Sequence, residues 1–186
     1  MRKAIMISIK PKLVAKILNG EKTIEIRKNM PKCDLPIDVY IYCTKDKQGI
    51  FKERHNGYTL LNQNKWIQSE MNGKVVAKFT LNNVEEYING HNCDYIKHNA
   101  SSCLDFEKIL KPSCVNEEEL YLYAEDLHFY AWYINNLEIF DEPKELSEFK
   151  HLIKGNKLDH FIDAINYVGG LPLTKAPQSW RYVEVE

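Results

Sequence analysis

The octapeptide Gly20-Glu21-Lys22-Thr23-Ile24-Glu25-Ile26-Arg27 constrains this chain more than any other stretch. It follows a helical pattern and opens a strand pattern. Alternation along a strand sends Thr23, Glu25 and Arg27 to one face and Ile24 and Ile26 to the other. The isoleucines anchor in a core, so the same strand must hold a carboxylate and a guanidinium two residues apart beside that core. Opposite charges in such a place cost desolvation unless they pair or meet a polar ligand. Two outcomes follow: a structural ion pair on an edge strand, or a polar face completed by a guest molecule.

The flanks frame this strand tightly. Ala4 to Ile9 is expected as a buried first strand. Pro11 suits the first turn of a helix, where its missing N–H costs nothing. Leu13, Val14, Ile17 and Leu18 make an apolar stripe, with Lys12 and Lys16 on the other side. Gly20 can take the left-handed conformation that ends the helix. A β-α-β entry results. Two prolines within Met30 to Pro36 exclude a central strand there. Asp38 to Cys43 and Lys74 to Leu81 alternate as strands, the second running on towards Tyr87. Between them, short strands at Ile50–Lys52 and Tyr58–Leu61 form an excursion with Trp66.

From Asn89 to Leu127 the sequence turns polar and then helical. Helices are expected at Ser102–Leu110 and Glu117–Ala124, the second opened by Asn116 and Glu119 at capping-box spacing. This segment is expected to be a helical insertion on the rim of a β core. His128 to Phe140 is strand-rich, with a bulge or turn at Asn135-Asn136, and ends before Pro143. A short helical or irregular turn over Lys144–His151, a helix over Leu158–Tyr167, a Pro-rich loop over Leu171–Gln178 and a closing strand over Trp180–Val185 complete the chain. The order predicts an α+β fold: a mixed, mostly antiparallel β-barrel with short peripheral helices, which leaves no open edge. One domain over 1–186 is expected, with insertions near 45–72 and 89–127.

Charge and composition narrow the function. The net charge of −1 hides an uneven spread. Residues 1–32 hold nine Lys or Arg against two acids, a local balance of +7, which leaves −8 for the rest. A basic lobe on a neutral protein is either a phosphate-facing surface or a solvated face balanced by acids nearby. No run approaches the length of a membrane span, and Lys10 interrupts the short apolar N-terminal run, so a cytoplasmic location is expected. Five cysteines without a signal segment predict reduced thiols.

Three constellations could carry chemistry. Lys22, Glu25 and Arg27 lie beside the helix with Lys12 and Lys16: Arg27 offers a fork to a phosphate or base edge, Glu25 an acceptor for a proton or base N–H, and Lys22 a phosphate contact. Tyr40, Tyr42, Trp66, Tyr130, Trp132 and Trp180 could stack on splayed bases, although strand aromatics are more often core. Trp180 stands out, since Pro177-Gln178-Ser179-Trp180 puts polar groups and a ring at a loop–strand junction. His91, Cys93, His98, Cys103 and Cys114 are zinc-type ligands without zinc-type spacing, so neither a metal nor a cofactor is expected. Gly-rich phosphate loops, nucleophile elbows and His-Glu-x-x-His motifs are absent from the sequence.

The pattern Gly20-x-Lys22-x-x-Glu25-x-Arg27, preceded by Ser8-Ile9-Lys10-Pro11 and a short helix and echoed by Pro177-Gln178-Ser179-Trp180 before a last strand, resembles the ASCH (activating signal cointegrator homology) family, in its phage and bacterial form. The resemblance covers roughly 1–43, 74–88 and 128–186. It implies a PUA-like barrel with a cleft lined by Lys22, Glu25 and Arg27, and a role in binding RNA or a modified nucleotide. On that reading the nucleic-acid contacts are Lys10, Lys12, Lys16, Lys22, Glu25, Arg27, Gln178, Ser179 and Trp180. Some members are hydrolases, either ribonucleases or amidases acting on an acetylated cytidine. An enzyme of that kind would use Lys22 and Glu25 as catalytic groups. The amidase type has a Thr where this chain has Glu25, which speaks against amidase activity. A protein partner docking through 89–127 is the third reading.

Overall fold

The computed structural model describes residues 2–45, 54–55, 58–62, 65–68, 71–88, 91–92, 107–124, 128–152 and 170–186. The expected strand at Ile50–Lys52 and helix at Leu158–Tyr167 lie outside them, as does the start of the helix expected from Ser102. Strand β1 (Arg2–Ile9) leads into helix α1 (Pro11–Leu18), then β2 (Ile24–Arg27) and β3 (Ile37–Cys43). The excursion holds β4 (Arg54–His55), β5 (Tyr58–Asn62) and β6 (Lys65–Gln68). Strands β7 (Val75–Leu81), β8 (Val84–Ile88) and β9 (His91–Asn92) precede helices α2 (Glu107–Ser113) and α3 (Glu117–Tyr123). The chain closes with β10 (Phe129–Tyr133), β11 (Asn135–Lys144), a 3-10 turn at Leu146–Glu148, β12 (Lys150–His151) and β13 (Trp180–Val185).

These strands form three sheets, in the orders β11-β7-β3-β1-β13-β12, β2-β10-β8-β9 and β4-β5-β6. The architecture is α+β with mixed sheets and few helices. Strand β1 runs parallel to β3 and antiparallel to β13. The helix between β1 and β2 makes this possible, because parallel neighbours need a crossover. Among the described residues no helix is long and apolar enough to cross a membrane.

Two compact units share the chain. Met1–Pro11, Ile37–Lys78 and Glu138–Glu186 make the first; Lys12–Pro36 and Phe79–Leu137 make the second. In the first, Ala4, Met6, Tyr40, Tyr42, Val75, Val183 and Val185 pack with Phe149 and Leu173. In the second, Ile24 and Ile26 meet Tyr87, Phe129 and Ala131, and the cluster is covered by Ile109 of α2 and by Leu120 and Ala124.

The structure departs from the sequence expectations at four points. Strand β7 stops at Leu81 and the chain changes sheet through Asn82-Asn83, so the run towards Tyr87 is a separate strand. Pro143 does not end its strand, because β11 lies at the edge of its sheet, where a missing N–H is tolerated. Thr23 lies before β2 and is exposed rather than sharing a face with Glu25. Finally, α2 and α3 are not rim decoration: they supply Ile109 and Leu120 to the second unit's core. The capping box at Asn116 and Glu119 forms as expected, with bonds of 2.7 and 3.0 Å.

Candidate functional site

Helix α1 ends where its sequence says it should. Gly20 has φ +75°, its N–H donates to Ile17 O, and Glu21 N–H reaches back to Lys16 O. This left-handed stop turns the chain abruptly into Lys22 and β2. Thr23 N–H then donates to Pro112 O at 2.8 Å, and Cys114 Sγ lies 3.4 Å from Glu21 O. The start of the motif strand is thereby tied to the C-terminal end of α2.

Lys22 is 2% exposed. Its ammonium donates to Ile24 O and to Ser113 O, both at 2.7 Å, and lies 3.1 Å from Glu25 Oε2. An ammonium has three N–H donors, so all three have a partner. The Ser113 carbonyl belongs to the last residue of α2, where the helix dipole favours a cation. The contact with Glu25 Oε2 is an ion pair without hydrogen-bond alignment. Glu25 Oε1 accepts Arg27 Nη2 at 2.9 Å. A single carboxylate therefore sits between two cations, and the triad carries a formal charge of +1 in a place where all three side chains are less than a tenth exposed. The sequence allowed a polar face left open for a guest; here the three groups neutralise one another in large part.

The ladder of the four-stranded sheet extends this cluster. Trp132 stands opposite Glu25 and Tyr130 opposite Arg27; on the next strand Val84 stands opposite Trp132 and Glu86 opposite Tyr130. Directly paired residues share a face. Glu86 Oε1 accepts Tyr130 OH at 2.7 Å and contacts His128 Nε2 at 2.9 Å. Exposure rises along this face. Trp132 is fully buried and Arg27 nearly so, while the side chains of Glu86 and His128 are 37% and 40% exposed.

Tyr123, at the end of α3, borders the cluster. Its phenol is raised above its ordinary value by burial; Arg27 and a hydrogen bond from the Lys28 backbone pull it back, and Glu25 adds to the rise. Lys28 Nζ lies 5.4 Å from the centre of its ring. On the other face of the sheet, burial followed by the Glu85 carboxylate pushes Tyr133 up to about 12.

Of the residues singled out from sequence, the fold brings Lys22, Glu25 and Arg27 into direct contact. Lys12 is exposed on α1 and Lys16 is half-buried. Lys10, Gln178, Ser179 and Trp180 belong to the first unit. There Ser8 N–H donates to Ser179 O and Ser8 Oγ to Pro177 O, stitching the loop to the end of β1, with Gln178 and Ser179 exposed. Trp132, Tyr40 and Tyr42 are core. Among the described residues no three His, Cys, Asp or Glu side chains gather as metal ligands; Cys93, His98 and Cys103 lie outside them. Sequence reasoning passed over Glu86, His128 and Tyr123. The alternation His128-x-Tyr130-x-Trp132 was the available signal for His128. The other two needed knowledge of which strand pairs with β10 and where α3 docks.

No family model and no curated protein matches the chain. Three solved structures do, all of the ASCH protein from Zymomonas mobilis. The unsubstituted protein aligns with TM-score 0.53 at 14% identity over 97% of this chain and 87% of that one. A Tyr-to-Phe variant gives 0.54 at 14% over 98% and 91%, and a Ser-to-Ala variant 0.54 at 15% over 98% and 89%. Identity this low speaks for fold alone, and the likeness spans nearly the whole of both chains. The chain has an ASCH-type fold.

Proposed function

We propose that this protein is an RNA- or nucleotide-binding module whose second unit presents the face built on Lys22, Glu25 and Arg27. The observation that carries this reading is the buried triad of net charge +1 at the closed end of a row that opens through Tyr130 to Glu86 and His128. A fixed positive potential beneath a partly exposed aromatic and polar row suits an anionic ligand with a ring to stack and edges to read. The exposed Lys12 and Lys28 would add backbone contacts, with Lys16 beside them on α1. In the first unit, Lys10, Gln178, Ser179 and Trp180 are the corresponding proposed contacts. The ASCH-type fold supports the reading by analogy, and with it a single domain over 1–186 closing as a PUA-like barrel.

The hydrolase alternative, with Lys22 and Glu25 as catalytic groups, draws less support, because Lys22 has its three N–H groups engaged and Glu25 is already flanked by two cations. Titration of a labelled single-stranded RNA at a series of salt concentrations tests the binding reading. Affinity should fall as salt rises, and Lys12→Ala or Lys28→Ala should each lower the slope of log K against log salt by about 0.7. No binding at low salt would refute it.

A further inference from the structure

The two helix ends that meet at Lys22 are built alike but for one residue. Helix α1 closes with Gly20 N–H to Ile17 O and Glu21 N–H to Lys16 O; α2 closes with Cys114 N–H to Lys111 O and Val115 N–H to Leu110 O. The left-handed position is glycine in the first, at φ +75°, and Cys114 in the second, at φ +53°. A side chain there crowds the following carbonyl oxygen, a strain that glycine escapes. The strained residue shares a peptide with Ser113, whose oxygen holds Lys22.

We propose that the Ser113–Cys114 peptide is a two-state switch that turns Lys22 into half of an anion site. Rotating this peptide plane by about 180° carries Cys114 out of the left-handed region. It withdraws the Ser113 oxygen from Lys22 and brings the Cys114 N–H into its place. The ammonium and the backbone N–H then donate towards one point, an arrangement that takes a phosphoryl oxygen. In the observed state that point is filled by a carbonyl oxygen, which repels an anion. A phosphate therefore interacts with opposite sign in the two states, which is what a ligand needs to shift such an equilibrium. The turn gives up the Cys114 N–H bond to Lys111 O and leaves the Val115 N–H bond and buried Ile109 in place, so α2 stays docked. The half-buried Cys114 puts the new donor near solvent. This inference rests on the binding reading above and names the atoms that would meet the phosphate.

The test compares wild type with Cys114→Ala as the thiol-free reference, Cys114→Gly and Cys114→Val. Each is melted and titrated in two arms, one with labelled single-stranded RNA and one with a nucleoside 5′-monophosphate; the arm that binds identifies the source of the phosphate. Glycine accepts the left-handed conformation and holds the carbonyl on Lys22. It should raise Tm and weaken binding about fivefold relative to alanine. Valine resists that conformation and should lower Tm while tightening binding by a similar factor. If this end of α2 is only a structural clasp, affinity follows stability instead, with glycine binding as well as or better than alanine and valine worse; that order overturns the switch. Absence of binding by every variant, wild type included, overturns the binding reading and the switch with it.

Discussion

The first unit's sheet and the second unit's sheet place charge in opposite ways. In the first, the interior is apolar, from Ala4 and Met6 to Val183 and Val185, and the ion pairs Arg2–Asp38, Lys74–Glu145 and Lys78–Glu138 each have a well-exposed member. In the second, one face of the sheet is apolar beneath α2 and α3, and the other buries Lys22, Glu25 and Arg27. Strand alternation is the same in both. The difference lies in what a lost partner leaves behind: a solvated charge in the first unit, a stranded buried one in the second.

Breaking the second unit's arrangement should therefore give the largest effect. Glu25→Gln leaves two buried cations facing each other without their anion, and urea denaturation should report a loss of about 3–5 kcal/mol. Lys22→Met should cost less, about 2–3 kcal/mol, since it leaves the neutral Glu25–Arg27 pair and strips a donor from Ser113 O and Ile24 O. Arg2→Ala, which breaks an exposed pair of similar length in the first unit, should stay within about 1 kcal/mol. If Arg2→Ala matched Glu25→Gln, the contrast between the units would collapse.

The smallest effect concerns pH. Tyr133 holds its proton up to about 12 in the folded chain, against an ordinary value of 10.0. Its contribution to stability is complete below pH 10.0 and disappears as pH climbs from there through about 12. Tyr133→Phe should flatten stability in that alkaline window and leave it unchanged at neutral pH, as followed by melting in a pH series.

Local features were legible wherever local physics decides. Gly20 ending α1, the capping box at Asn116 and the closing strand at Trp180 all followed from residues close in sequence. So did the membership of Lys22, Glu25 and Arg27 in one cluster. The partners of that cluster were not legible. The acceptor on Lys22 is the backbone oxygen of Ser113, 91 positions away, and a carbonyl carries no signature of its own in a sequence. Glu86 and His128 meet only because β8 and β10 are neighbours. Pro143 misled because a proline's meaning depends on whether its strand is at an edge, and strand order is a property of the whole fold. The helices at 107–124 looked peripheral because their polar exposed positions outnumber the two residues, Ile109 and Leu120, that enter the core.

The central claim is that Lys22 and Glu25 are energetically coupled inside the second unit. A double-mutant cycle with Lys22→Met, Glu25→Gln and the combined variant, read by urea denaturation, measures it most directly. The account predicts a combined loss smaller than the sum of the single losses by at least about 1 kcal/mol, because the double variant no longer holds two buried cations around a missing anion. Additive losses, within about 0.5 kcal/mol, would contradict it.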